Sequence, residues 1–297
     1  MNTLRRVQMR PLRGFPATLP ARGLMLMIVL VFALPAAAAE PSPVIIPPDA
    51  TRNRSDQLAD NFFGHEPVYF VYGPNPDHAK FQISFKYRLI NPKGTLTQRW
   101  HQAANFYLGY TQTSFWDWTS DSAPFYDSSY KPEFFYFEPG IQQYWVPAIG
   151  DIDLQTGLQH ESNGRDGADS RSLNFAYIKT KAYVGNRNEA HVTVAPRVWA
   201  YIGDLEDNPD IDRYRGYFDV ELALVVPKGL KIASTLRVGT GADKGSIEID
   251  ATYPLSQLFF GNLDIYAQVQ YFNGYAETLL SYDESHSFLR FGVAVYR

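Results

Sequence analysis

The residues best suited to chemistry lie between Leu154 and Ile178, where a histidine and a serine extend one face of a predicted strand. Side chains alternate between the two faces of a strand, so Leu158, His160 and Ser162 share a face. Two residues of strand rise separate the last two by about 6.6 Å at the backbone. A long imidazole that leans toward a short hydroxyl can close that gap, which places a potential base beside a potential nucleophile.

A second strand is predicted to return alongside the first. Turn-forming residues occupy positions 163–169, and a new alternating run follows that includes Asn174. If the hairpin turns about Gly167, Asn174 lies directly across from His160, and Ser172 lies across from Ser162. A serine, a histidine and an amide then share one surface, as nucleophilic acyl transfer requires.

Composition limits the class of protein. The 297 residues include no cysteine, which excludes a disulfide framework and a thiol nucleophile. The net charge is −4, and without basic tracts this argues against nucleic acid as a partner. Phenylalanine and tyrosine number 20 each, almost as many as the 21 glycines, which fits a large all-β core or the aromatic girdles of a membrane barrel.

The N-terminal region has the pattern of an export signal. Several arginines precede a short apolar run, Pro35 and a series of alanines. We therefore expect a signal peptide over residues 1–39, and Pro35 argues against the alternative of an uncleaved membrane anchor. Residues 40–64 are rich in proline and charge and are expected to form a linker or periplasmic segment, or else a disordered tail. Residues 65–297 are expected to form the barrel.

About twelve alternating segments follow, an even number joined by short and long connections in turn. Their polar faces carry Lys, Arg, Asp, Glu and Gln, which suits a polar lumen. The pattern predicts an all-β fold, a transmembrane antiparallel β-barrel of the outer-membrane type with its apolar rows toward lipid. A soluble sandwich or lipocalin-like barrel would invert the faces, and alternation alone does not exclude it. In the membrane version, His160 and Ser162 point toward lipid at the outer rim, where polar residues are costly and usually functional.

The segment Gly157-Leu-Gln-His-Glu-Ser-Asn-Gly-Arg165, followed by Ser170-Arg-Ser-Leu-Asn174, resembles the active-site hairpin of the outer-membrane phospholipase A family. Tyr110-Thr-Gln112 and the stretch from Asp207 to Ile211 resemble other parts of that family in the same order. The resemblance covers nearly all of the chain after about Val68. It implies a twelve-stranded barrel that hydrolyses acyl esters of phospholipids and lysophospholipids, requires Ca²⁺ and is activated by homodimerisation.

The resemblance also implies roles for individual residues. Ser162 would be the nucleophile, His160 the general base and Asn174 the residue that orients the imidazole. The Gly164 N–H would help to hold the oxyanion. Three further roles are implied by the family: calcium ligation by the Arg165 carbonyl and the Ser170 hydroxyl, calcium ligation by the Ser122 hydroxyl of the partner subunit, and a buried polar contact across the dimer seam by Gln112.

Some residues keep other interpretations. Carboxylates are the usual calcium ligands, so Asp166 and Asp169 are candidates for another site. Glu161 is expected to face the lumen and to matter little, and Asn163 is expected to be an ordinary turn former. The run from Phe134 to Phe137 is apolar on both faces, which suggests an acyl-chain groove or a dimer seam. The alternative function is a non-enzymatic barrel, a small channel or structural protein, which has no use for Ser162 outside the barrel.

Overall fold

A computed structural model describes residues 58–74, 77–117, 120–141, 151–259, 261 and 263–297. The expected signal peptide lies outside these residues, as does the expected linker up to residue 57. None of the helices in the described ranges is long and apolar enough to cross a bilayer.

Thirteen strands are formed in the described residues. They are β1 (Phe62–Gly64), β2 (Val68–Pro74), β3 (Asp77–Arg88), β4 (Phe106–Trp116), β5 (Phe125–Glu138), β6 (Ile152–Ser162), β7 (Ser172–Val184), β8 (His191–Tyr201), β9 (Phe218–Val225), β10 (Lys231–Val238), β11 (Gly245–Pro254), β12 (Tyr266–Gly274) and β13 (His286–Tyr296). Two short α-helices lie in connections, α1 (Thr95–Arg99) and α2 (Ile211–Arg215). Single 3₁₀ turns cover His101–Asn105, Gly167–Asp169 and Leu255–Gln257.

The strands form one closed antiparallel ring. Each strand from β3 to β13 pairs with its neighbour in sequence, and β2 pairs with both β3 and β13. The short β1 also pairs with β3, beyond the end of β2, so β1 and β2 act as one interrupted strand. The ring therefore has twelve positions, and the prediction of a twelve-stranded antiparallel barrel is confirmed. Because β1 is part of the sheet, pairing begins at Phe62, inside the segment expected to be a linker.

The apolar rows lie on the outside of the ring. Ile83, Leu108, Leu158 and Phe291 are each between 43% and 51% exposed, whereas Lys80 of β3 is 4% exposed and points inward. Other buried polar or charged residues of the strands are Ser84, Thr111, Glu133, Glu161, Asp219, Gln270 and Arg290. This distribution is that of a barrel wall in hydrocarbon with a polar interior. It rules out the soluble barrel with inverted faces.

The sequence predicted a polar lumen, but part of the barrel interior is apolar. Phe135 is fully buried and stacks on Tyr107, with ring centroids 5.4 Å apart, in a cluster that includes residues from β7 and β8. Phe134 lies on the outside and stacks on Phe106 at 5.8 Å. The run from Phe134 to Phe137 is therefore apolar on both faces because one face meets lipid and the other fills the barrel.

Long connections lie at both ends of the barrel, since residues 89–105 join β3 to β4 at the end opposite to the β6–β7 loop. The prediction that short and long connections alternate is therefore wrong. At the end that carries the hairpin loop, the connection after β4 is short, because β5 already begins at Phe125. The connections after β6, β8 and β12 lie at the same end, and the one after β6 is the loop of residues 163–171.

Candidate active site

The hairpin of β6 and β7 has the register that the sequence predicts. His160 pairs with Asn174 and Ser162 pairs with Ser172. Tyr130 of β5 faces Ser162 from the other side. The three side chains proposed for chemistry thus lie on one outward face, at the end of β6 that leads into the loop of residues 163–171.

His160 and Asn174 are joined by a hydrogen bond. The distance from His160 Nδ1 to Asn174 Oδ1 is 2.9 Å, and because the amide oxygen only accepts, the Nδ1–H donates. The other ring nitrogen, Nε2, is then the basic one. The Ser162 hydroxyl is partly exposed and makes no hydrogen bond to any residue in the described ranges. This leaves the pairing of Ser162 with Nε2 open, as is common before substrate binds.

Gly164 occupies a backbone conformation that favours glycine. Its φ is +67°, and a Cβ at this position would come within 3.0 Å of the Tyr130 ring. Within the described part of the chain, the Gly164 N–H donates no hydrogen bond. This amide is therefore free to donate to an anionic oxygen formed near Ser162.

Arg165 and Ser170 carry the oxygens that the resemblance assigns to calcium. Both lie on the same loop, and neither the Arg165 carbonyl nor the Ser170 hydroxyl accepts a hydrogen bond from another described residue. Neutral oxygens of this kind are suitable ligands for Ca²⁺, which accepts carbonyl and hydroxyl donors together with water. The donor set therefore fits a calcium ion.

Carboxylates do not form a separate cluster in the described residues. No group of three or more His, Cys, Asp or Glu side chains lies close enough there to hold a metal ion. Asp166 and Asp169 are both exposed, and Asp169 Oδ2 is 3.8 Å from Arg165 Nη1. Their suggested role at another site stays a prediction.

Ser122 and Gln112 lie outside the hairpin. Ser122 is exposed on the connection between β4 and β5, with a φ of +69°, and this connection is anchored by the Trp116 Nε1–H, which donates to the Ala123 carbonyl at 2.9 Å. Gln112 lies on the outer face of β4. Its amide accepts from Tyr110 Oη at 2.9 Å and donates to Ser114 Oγ at 3.0 Å.

A buried ion pair lies directly behind the hairpin, and the sequence did not indicate it. Glu161 faces the interior as expected, where Oε2 is 2.6 Å from Arg215 Nη2 and Oε1 accepts from Ser129 Oγ at 2.6 Å. Burial alone would lower the pKa of Arg215, but the Glu161 carboxylate raises that pKa above its usual value, so the pair stays ionised. The position of Glu161 could have predicted a buried partner of opposite charge, because a charge on an inward face must be paired, but it could not have identified Arg215.

The fold and the hairpin define a class: a membrane β-barrel with a serine, a histidine and an asparagine on one outward-facing hairpin. The chain belongs to the phospholipase A1 family, whose model matches residues 49–295. The phospholipase A1 of Proteus vulgaris is 30% identical over 226 residues, which are 74% of this chain and 70% of that protein.

Two further comparisons give the extent of the similarity. A relative from Neisseria meningitidis is 32% identical over 72% of this chain, and the match spans about half of that protein, 53% of its length. The crystal structure of the Salmonella typhi outer membrane phospholipase dimer with bound calcium has a TM-score of 0.66 and is 24% identical. That match covers 82% of this chain and 94% of the Salmonella chain, so the two proteins share the fold of almost the whole Salmonella barrel.

Proposed function

We propose that this protein is a calcium-dependent hydrolase of phospholipid and lysophospholipid acyl esters in the bacterial outer membrane, active as a homodimer. One observation carries the proposal. The 2.9 Å hydrogen bond between His160 and Asn174 orients a base beside Ser162 on the lipid-facing side of a closed barrel. The substrate of a nucleophile in that position is a component of the bilayer itself.

In the proposed reaction, Ser162 Oγ adds to the ester carbonyl carbon while its proton passes to His160 Nε2. The bond between the carbonyl carbon and the leaving oxygen then breaks, and Nε2 returns the proton to the leaving alcohol. Water attacks the acyl-serine in the second half, with its proton taken by His160 and returned to Ser162 Oγ. A fatty acid leaves and the enzyme is restored.

Asn174 and Gly164 support these steps in different ways. The Asn174 carbonyl holds the imidazole in the tautomer whose Nε2 is basic, without adding an ionic charge near lipid. The Gly164 N–H, which has no acceptor among the described residues, would donate to the ester oxygen on which negative charge develops.

The resemblance and the donor chemistry support a calcium site on this loop. The Arg165 carbonyl and the Ser170 hydroxyl would hold it, together with Ser122 of the partner subunit. When bound, Ca²⁺ supplies positive charge that stabilises the developing oxyanion. The Salmonella relative was crystallised as a dimer with bound calcium, which supports the same assembly for this chain.

The proposal places the site at the outer leaflet, with Gln112 at the dimer seam. The end of the barrel that carries the hairpin loop would face outward, as expected for an outer-membrane barrel with both termini in the periplasm. In a dimer, the Gln112 amide would exchange its contacts within the chain for contacts with its twin, in surroundings where polar contacts between subunits are favourable.

The decisive test compares Ser162→Ala with Ser234→Ala in refolded protein. Ser234 also lies on the outer face, but on β10, where its neighbours on that face are Ile232 and Leu236. Fatty acid release from a defined phospholipid in mixed micelles with Ca²⁺ should be lost in the first variant and kept in the second. Wild-type hydrolysis by folded Ser162→Ala would refute the proposal, and absence of hydrolysis by the wild-type protein would favour the non-enzymatic barrel.

A further inference from the structure

Asn163 is buried at the base of an exposed loop. Its residue exposure is 4%, whereas residues 164–169 are all exposed. An asparagine that serves only to form a turn needs one bond, from its side-chain oxygen to the N–H two residues on, and this bond does not require burial. The burial of this amide therefore requires another explanation.

The Asn163 side chain joins both ends of the loop. Its Oδ1 accepts from the backbone N–H of Arg165 at 3.3 Å and from that of Arg171 at 3.0 Å. Its Nδ2 donates to the carbonyl of Asp169 at 2.8 Å. The Asn163 backbone N–H also donates to the Arg171 carbonyl at 3.1 Å, so one residue makes four hydrogen bonds within its own loop.

These bonds surround the atoms assigned to chemistry. Gly164 lies between Asn163 and Arg165, whose N–H is bonded to the Asn163 side chain. Ser170 lies between Asp169 and Arg171, whose carbonyl and N–H are bonded to the same side chain. The bonds fix the backbone on both sides of Gly164 and of Ser170. They therefore limit the directions in which the Gly164 N–H, the Arg165 carbonyl and the Ser170 hydroxyl can point.

We infer that Asn163 is a positioning residue for the proposed active site, a role that rests on the proposed function. Its amide shapes the loop so that the oxyanion donor and the calcium oxygens are in place before substrate and metal arrive. It acts through those groups and does not itself touch the reacting atoms. The connection between β7 and β8 offers a comparison. There, Asn186 Oδ1 accepts from the Asn188 N–H at 3.0 Å and Nδ2 donates to Glu189 Oε1 at 3.2 Å, but Asn186 is exposed.

The first test is metal-free proteolysis of Asn163→Ala and the control Asn186→Ala. Each asparagine lies in a loop with an arginine, Arg165 or Arg187, at which trypsin can cleave. In excess chelator, we expect Asn163→Ala to be cleaved after Arg165 about tenfold faster than wild type, because losing these bonds raises the population of the open loop. Cleavage after Arg165 in Asn186→Ala should match wild type.

The second test is the kinetics of the same variants. Asn163→Ala should lower kcat by about 10- to 100-fold, change KM little and raise the calcium concentration for half-maximal activity, because the groups it holds are misplaced. Asn163→Asp keeps the accepting oxygen and loses the donor, so it should lie between wild type and Asn163→Ala in both tests. It also serves if Asn163→Ala does not fold.

Two results would overturn the inference. One is wild-type cleavage after Arg165 in folded Asn163→Ala. The other is a loss of kcat that only follows the loss of folded barrel, with unchanged calcium dependence. Absence of hydrolysis in the wild-type protein would refute the proposed function instead, and the proteolysis would still decide whether Asn163 holds the loop.

Discussion

Glu161 Oε2 lies 2.6 Å from Arg215 Nη2 inside the barrel, and Glu161 separates His160 from Ser162 on the same strand. The side chains of the pair are only 4% and 9% exposed. A charged contact between β6 and the outer connection that contains α2 is thus formed directly behind the proposed active site. It links the position of the hairpin to the fold of that connection.

Replacing Glu161 by Gln should destabilise the barrel by about 3–5 kcal/mol, because it leaves the Arg215 guanidinium buried without its counter-charge. Urea unfolding of the refolded protein in detergent micelles measures this. The control is Asp243→Asn, which breaks the ion pair with Arg213 of the same helix, with side chains 53% and 56% exposed. It should cost about 0–1 kcal/mol. Equal losses in the two variants would contradict the prediction.

Replacing Gly164 by Ala should lower kcat more than replacing Gly167 by Ala. Both glycines have a positive φ, +67° and +59°, so both alanines incur a similar backbone strain of about 1 kcal/mol. A Cβ at Gly164 would also press on the Tyr130 ring, whereas nothing lies within 4 Å at Gly167. Initial rates at saturating substrate and calcium measure the difference. Equal losses in the two variants would show that strain alone explains the effect, and a larger loss in Gly167→Ala would contradict the prediction.

Replacing Asn174 by Ala should lower kcat by about 10- to 100-fold with little change in stability, since the imidazole loses the acceptor that fixes its tautomer. Asn174 is exposed, so its truncation leaves no cavity. The comparison is Asn273→Ala on β12, which removes an exposed amide elsewhere on the outer wall. Activity of Asn174→Ala equal to that of Asn273→Ala would refute the orienting role.

Removing calcium with a chelator should abolish hydrolysis and leave the barrel folded, because the proposed ligands lie on a loop and not in the wall. Far-UV circular dichroism and fatty acid release follow the two properties in one sample. Ser170→Ala should raise the calcium concentration required, with Ser234→Ala as the control. Full activity in excess chelator would contradict the metal assignment.

Replacing Gln112 by Ala should weaken the dimer by about 1 kcal/mol, the typical contribution of a polar contact between membrane-embedded segments. Sedimentation equilibrium in detergent, with Asn273→Ala as the control, measures the dissociation constant. An unchanged constant would place the seam elsewhere. Full activity of strictly monomeric wild-type protein would separately refute activation by dimerisation.

Much of this architecture followed from period-two alternation. Leu158, His160 and Ser162 share a face in any strand, and the even count of strands and the polar opposite faces led to the barrel. The register of His160 with Asn174 followed from a turn about Gly167.

Contacts between distant parts of the chain could not be predicted from the alternation. Nothing near Glu161 in sequence points to Arg215, because the two meet only when the connection between β8 and β9 folds into the barrel mouth. The burial of Phe135 in an aromatic cluster and the bonds of Asn163 also depend on tertiary packing. Alternation gives the direction of a side chain, but not its partner.

The ring closes between β2 and β13, with Tyr72 paired to Phe291 and Phe70 paired to Val293. A nascent chain that lacks β13 would already contain the β6–β7 hairpin, yet its sheet would keep an open edge whose unpaired amides and carbonyls are costly in hydrocarbon. The barrel wall is therefore complete only when β13, residues 286–296, has paired with β2. The hairpin proposed as the active site therefore belongs to a closed wall only after this pairing.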